Sequence, residues 1–233
     1  ALGRFFPNWG DSNKCMNIGE HGAMLPLDMA LQGYRVFGGA AIAREVWHSN
    51  RKSLDGIQLD IYESEPEAIL ENLKADLKDE LAGVESEHAS FNTGGYGCAF
   101  LQSGTGKSAR SLMFYYGRMI MHGHKDRLAI QMVSHDAVTI PDLGYPLYTG
   151  QHPKRIGWTS HIISHNTVMV NDKNPKRAES WSGRTRLFDE NKPVAVADVD
   201  GEGAKIYDGV RTYARGLVMV DVDEERFYVL DVF

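Results

Sequence analysis

Ser111-Leu112-Met113-Phe114-Tyr115-Tyr116, followed by Leu128-Ala129-Ile130-Gln131-Met132-Val133, decides the fold of this chain. Both runs are short, rich in apolar and aromatic residues, and bounded by turn residues, which is the pattern of strands. The pattern begins near Ser90, where Tyr96, Cys98 and Phe100 alternate with small residues. It continues at residues 137–140, 167–170, 194–199, 215–222 and 227–233, each run separated from the next by Gly, Asn, Asp or Pro. Too few helices lie between these strands for a doubly wound sheet. The expectation is a stack of antiparallel sheets, a sandwich rather than a barrel.

Upstream the periodicity changes. Leu27, Leu31, Tyr34, Ile42 and Val46 recur on related turns of a helix running from Pro26 toward Trp47, weakened or interrupted by Gly33, Gly38 and Gly39. Ser64-Glu65-Pro66-Glu67 carries the serine and the following glutamate of a capping box, with proline in the first turn. Ile69, Leu70, Leu73, Leu77 and Leu81 then recur near the helical period, and Gly83 is a stop. The fold class is therefore α+β, with a short helical part over residues 1–85 and an antiparallel β-sandwich over residues 86–233. Both ends read as cut, the last one inside the strand-like run that closes on Asp231-Val232-Phe233.

Composition removes several functions. The net charge of -6 with 25 basic and 31 acidic residues argues against a nucleic-acid partner. It opposes an acidic sugar only at long range, because a locally basic cleft can still bind one. Cys15 and Cys98 are too few for a disulfide framework or a thiolate metal site, and read as isolated small hydrophobes. No apolar run reaches the roughly 20 residues needed to span a bilayer. Ser103-Gly104-Thr105-Gly106-Lys107-Ser108 resembles a phosphate loop only in part. Leu101 stands where the first glycine is required, and a strand rather than a helix follows, so it reads as a hairpin turn. Ser134-His135 reads as a polar turn between strands.

One group of residues carries chemistry. His122-Gly123-His124 and Asp126 lie within a few residues, Asp142 follows the next strand, and His165-Asn166-Thr167 precedes another. On a continuing strand His122 and His124 would share a face about 6.5–7 Å apart, with Asp126 on the same side. Two imidazoles and a carboxylate brought from separate strands would make a zinc set, completed by water or a fourth group. Ordinary hydrogen-bonded histidines are the competing reading of the same spacing.

The blocks Tyr116-Gly117-Arg118-Met119-Ile120-Met121-His122-Gly123-His124-Lys125-Asp126-Arg127-Leu128, Pro141-Asp142-Leu143-Gly144-Tyr145 and Ser164-His165-Asn166-Thr167-Val168-Met169-Val170 resemble, in order and spacing, the signature of heparinase II/III-like polysaccharide lyases. Gly94-Gly95-Tyr96 through Leu101-Gln102-Ser103-Gly104 resembles that family's first sandwich strands, and Pro7-Asn8-Trp9-Gly10-Asp11-Ser12 a loop late in its helical toroid. The resemblance implies the end of an incomplete α/α toroid followed by the sandwich, with the cleft between them. It implies cleavage of uronic-acid polysaccharides by β-elimination, in a periplasmic or secreted protein.

By the same resemblance His122 is the catalytic histidine that reaches into the cleft, and His124, Asp142 and His165 match a structural zinc set. Arg155, Trp158 and Tyr148 are expected to bind substrate, since a guanidinium pairs with a sugar carboxylate or sulfate and a ring packs on a sugar face. Trp158 has a simpler alternative as the anchor of a loop. The partners implied are an acidic polysaccharide and an upstream helical toroid, with no nucleic acid and no membrane span. Two departures stand out. The family's proton-donating tyrosine and its carboxylate-gripping asparagine or histidine would lie before Ala1, since Tyr34 and His21 occupy no matching context. Lys125 also replaces what is more often a small residue. The chain alone is thus expected to be a weak or inactive lyase. A noncatalytic carbohydrate-binding sandwich with a structural zinc, or a metal-dependent sugar enzyme of cupin-like type, are the competing functions.

Overall fold

The computed structural model describes residues 26–59, 63–82, 89–119, 123–143, 150–180 and 182–233. These fall into two compact units, residues 26–82 and residues 89–233. No helix among the described residues is long and apolar enough to cross a membrane.

The first unit is helical. Helix α1 (Leu27–Phe37) and helix α2 (Ala40–Ser49) are separated by Gly38 and Gly39, at φ 62° and 83°. That left-handed backbone interrupts the helical run at the two glycines. Helix α3 (Pro66–Asp76) starts on its proline and passes into the single turn α4 (Lys78–Leu81). The Ser64–Glu67 capping box does not form. Glu65, not Ser64, occupies the N-cap and makes no side-chain cap bond, so the serine sits one residue too early to reach the first turn. Ala30, Leu31 and Tyr34 meet Ala43, Val46, Leu73 and Leu77 in one buried cluster.

The second unit holds two antiparallel sheets. The first orders β1 (Phe91–Thr93), β2 (Cys98–Ser103), β3 (Arg110–Tyr115), β4 (Ala129–Ser134) and β5 (Ala137–Ile140) as sequential neighbours. The Ser103–Ser108 stretch is the β2–β3 hairpin expected of it, closing on Ser103 opposite Arg110. Gly104 is required there: its φ is 72°, and a Cβ would meet the Ser108 carbonyl oxygen at 2.4 Å. His135 and Asp136, both at positive φ, make the two-residue turn from β4 to β5. The second sheet orders β6 (Arg184–Asp189), β7 (Val194–Asp200), β8 (Ala214–Asp221) and β9 (Phe227–Val232), with the short helix α5 (Gly203–Ile206) between β7 and β8.

Leu101, Leu112, Phe114 and Ile130 of the first sheet share one buried cluster with Ala197, Val199, Leu217 and Met219 of the second. Each fully buried Leu or Phe side chain contributes about 1.5–3 kcal/mol relative to exposure. This shared face, more than any polar contact, joins the sheets into a sandwich. The architecture is α+β, helices followed by two antiparallel sheets. Two expected strand segments are not strands. Residues 167–170 form an irregular segment whose only bridge is Val170 to Lys173. Residues 123–128 form a loop, with Leu128 at φ 60° turning the chain into β4.

Candidate metal centre

Three irregular segments at the margin of the first sheet build the site. Residues 123–128 precede β4, Pro141 and Asp142 follow β5, and His165 follows the 3-10 turn Ile162–Ser164. Antiparallel pairing of β4 with β5 brings the residue run before one strand alongside the run after the other. Ile162 is buried in the sandwich core and anchors the third segment, while the His161 side chain accepts a hydrogen bond from the Ile163 backbone N–H and caps its turn. Asn166 joins the segments. Its side-chain amide donates to the Pro141 carbonyl at 2.6 Å, and its own carbonyl accepts from the Ile130 N–H at 3.2 Å.

These contacts bring His124, Asp142 and His165 together. One ligating atom from each lies within 4.8 Å of the others, and all three side chains are buried. The two imidazole rings are 5.2 Å apart and tilted by 35°. His165 Nδ1 stands 2.8 Å from Asp142 Oδ2. A carboxylate accepts only, so Nδ1–H donates and the lone pair falls on Nε2. Burial resists a charge on the His165 ring. The hydrogen bond the ring donates to Asp142 and that carboxylate's charge, together with the charge of Asp126, outweigh this and raise the ring's pKa.

The donor set fits a metal ion. His165 Nε2 is buried with no hydrogen-bond partner, an arrangement that costs about 1–3 kcal/mol unless some group satisfies it. Two imidazoles and one carboxylate form a borderline-soft N/O set of the kind zinc takes.

The remaining sequence-derived residues divide. His122 and Tyr148 lie outside the described residues. Arg155 and Trp158 sit on a single π-helical turn, Arg155–Thr159, in which Trp158 is 52% exposed. An exposed ring is not a buried loop anchor. The turn leads into Ser160, whose carbonyl accepts from the Lys125 N–H at 3.1 Å, beside His124 in the chain. Tyr34 is no substitute base: its hydroxyl donates to Asp76 at 2.7 Å, and burial together with that carboxylate raises its pKa far from neutrality.

Three residues next to the cluster were given no role by sequence reasoning. Asp126 is buried at 1% exposure, and its charge acts on His165. Asn166 lay inside a quoted motif. Arg215 lies in phase with Leu217 and Met219 on β8, a charged residue at an inward position. That break in the apolar alternation is the signal that would have found it.

The family model described as Heparinase II/III-like, C-terminal matches residues 85–233. The chain belongs to the heparinase II/III-like family. Among solved structures it is similar to heparan sulfate lyase HepC from Pedobacter heparinus, with TM-score 0.62 and 15% identity over 99% of this chain and 30% of that one. It is also similar to the Heparinase III-BT4657 gene product, with TM-score 0.55 and 14% identity over 97% of this chain and 29% of that one. At such identity the likeness is one of fold, and this member of the family spans less than a third of the length of either structure. A comparison with curated proteins finds no match.

Proposed function

We propose that this chain is part of a polysaccharide lyase that cleaves uronic-acid polysaccharides by β-elimination, its cleft side braced by a structural zinc ion on His124, Asp142 and His165. The buried His–His–Asp cluster inside the family-matching segment carries this reading. Residues 1–85 are the end of a helical toroid and residues 86–233 the sandwich, in a periplasmic or secreted protein. The zinc ion, when bound, supplies a fixed charge that ties three loop segments together. His122, two residues before His124, is assigned the role of the family's sandwich-side histidine toward the substrate.

The reaction explains these residue types. A base takes the C5 proton of the uronate, the C4–oxygen bond breaks, a C4–C5 double bond forms, and the leaving oxygen receives a proton. The C5 proton becomes acidic only when the neighbouring carboxylate is neutralised by hydrogen bonds or positive charge. His122 serves as base or carboxylate partner according to the stereochemistry of the sugar. Arg155 pairs with a carboxylate or sulfate, and Trp158 and Tyr148 pack against sugar faces. The family's proton-donating tyrosine belongs to the toroid upstream, so the test uses the protein together with that toroid.

The experiment is incubation with heparan sulfate, heparin and alginate, reading the ultraviolet absorbance of the unsaturated uronate. Product formation that His122→Ala abolishes supports the reading. Binding of these polymers without product would identify a noncatalytic carbohydrate-binding sandwich. Activity unaffected by His122→Ala would remove His122 from its role. Loss of activity on chelation with no change in melting temperature would indicate a metal that acts in the reaction and not as a brace.

A further inference from the structure

Arg215 is buried in the sandwich and makes four short hydrogen bonds. Nε and Nη2 donate to the two carboxylate oxygens of Asp231 at 2.8 and 2.6 Å, a bidentate pair between β8 and β9. Nη1 donates to the carbonyls of Leu128 at 2.6 Å and Asn166 at 2.7 Å. Those two carbonyls belong to the segments that carry His124 and His165. Asn166 in turn holds Pro141, the neighbour of Asp142, through its side chain. Tyr213, two residues before Arg215, donates to the Val168 carbonyl at 2.6 Å and stands 3.2 Å from Thr167 Oγ1, which itself donates to the Arg127 carbonyl at 2.9 Å. The second sheet thus grips, through side chains alone, the backbone on both sides of the cluster in the first.

We infer that Arg215, oriented by Asp231 and acting through Asn166, is the positioning residue that sets the spacing of His124, Asp142 and His165, and so the metal affinity of the site. The inference rests on the metal reading above. The Asn166 carbonyl takes one backbone donor, Ile130 N–H at 3.2 Å, outside any regular ladder, and a planar guanidinium with one fork held by a carboxylate offers its free edge in one orientation only. A lysine ammonium cannot hold Asp231 and both carbonyls in that fixed geometry.

A second buried arginine supplies the control. Arg110 bonds Ser103 and Asp221 and donates to the carbonyls of Ser108, Asp223 and Glu224. It lies at the start of β3, opposite Ser134, whereas the site lies beyond the other end of that ladder, before Ala129. Its loss should destabilise the same sandwich without touching the cluster.

The test measures Co2+ binding to the chain by titration calorimetry and by the visible d–d bands of the bound ion, whose intensity reports coordination geometry. Arg215→Met is expected to weaken Co2+ binding at least tenfold and to change the band shape, with partial recovery in Arg215→Lys. Arg110→Met is expected to lower the melting temperature yet keep affinity and spectrum. Asn166→Ala removes the link to Pro141 at a half-buried position and is expected to weaken binding in the same direction, which keeps the test open if Arg215→Met does not fold. Unchanged affinity and spectrum in Arg215→Met and Asn166→Ala would overturn the inference, as would an equal loss in Arg110→Met. Absence of Co2+ binding by the unaltered chain would instead refute the metal reading, and this inference with it.

Discussion

Asp142→Asn separates the two things the cluster does. The substitution keeps the size of the side chain and an oxygen that can accept from His165 Nδ1, but removes the one carboxylate of the set. Ligand binding stabilises the folded state by about 2.7 kcal/mol when free zinc stands roughly 100-fold above its Kd. A unit the length of residues 89–233 has an unfolding entropy of about 0.3 kcal/mol/K. Zinc should therefore raise the melting temperature of the unaltered sandwich by about 9 °C. Without metal, Asp142→Asn exchanges a charge-assisted hydrogen bond for a neutral one, a loss of about 1 kcal/mol, or about 3 °C on the same scale.

With zinc present the variant should gain almost nothing, because the donor set has lost its anion and metal affinity falls with it. The decisive quantity is the zinc-dependent shift in each protein, measured by calorimetry with and without chelator. A shift of equal size in both would show that the ion is not held by Asp142. A shift in neither, with zinc at millimolar excess, would leave His124, Asp142 and His165 as a hydrogen-bonded cluster and remove the brace.

Gly97→Ala should lower stability by about 3 kcal/mol or more through left-handed strain and overpacking, since Gly97 lies at φ 90° and a Cβ would meet Gly117 Cα at 2.4 Å; a melting temperature within a degree of the parent would contradict it. Trp158→Ala should leave the melting temperature unchanged, the ring being exposed, while under the proposed lyase function it raises KM for a polymeric uronate severalfold. Equal KM values would remove Trp158 from the substrate surface. Cys98 is buried and its thiol pKa is pushed up by that burial, so iodoacetamide at mildly alkaline pH should label it only as urea unfolds the sandwich; prompt labelling of Cys98, told apart from Cys15 by peptide mass spectrometry of the native-state product, would show the strand to be open.

The sandwich strands were legible because their register is local. Residues 111–115 and 129–133 are apolar runs too short for helices, each pairs with its sequence neighbours, and β4 passes to β5 through the two-residue turn His135-Asp136. The site was legible as a set of residue types but not as geometry. Placing His124 and Asp126 on a strand face fails because the chain is irregular until Ala129. Reading residues 167–170 as a strand fails for a related reason. Thr-Val-Met-Val has the composition of a strand, yet nearby backbone groups are held by Tyr213 and Arg215, more than 40 residues away. Propensity reports what a segment would do when its backbone must find a ladder. Here side chains from the opposite sheet take the place of that ladder. Loops held in this way can converge on one point, whereas neighbouring strands of a sheet stay about 4.8 Å apart and parallel to one another. A compact set of three ligands is therefore easier to assemble from segments released from the sheet and clamped from across the core, and an arginine in phase with its strand's buried apolar positions, as Arg215 is with Leu217 and Met219, is the sequence mark of such a clamp.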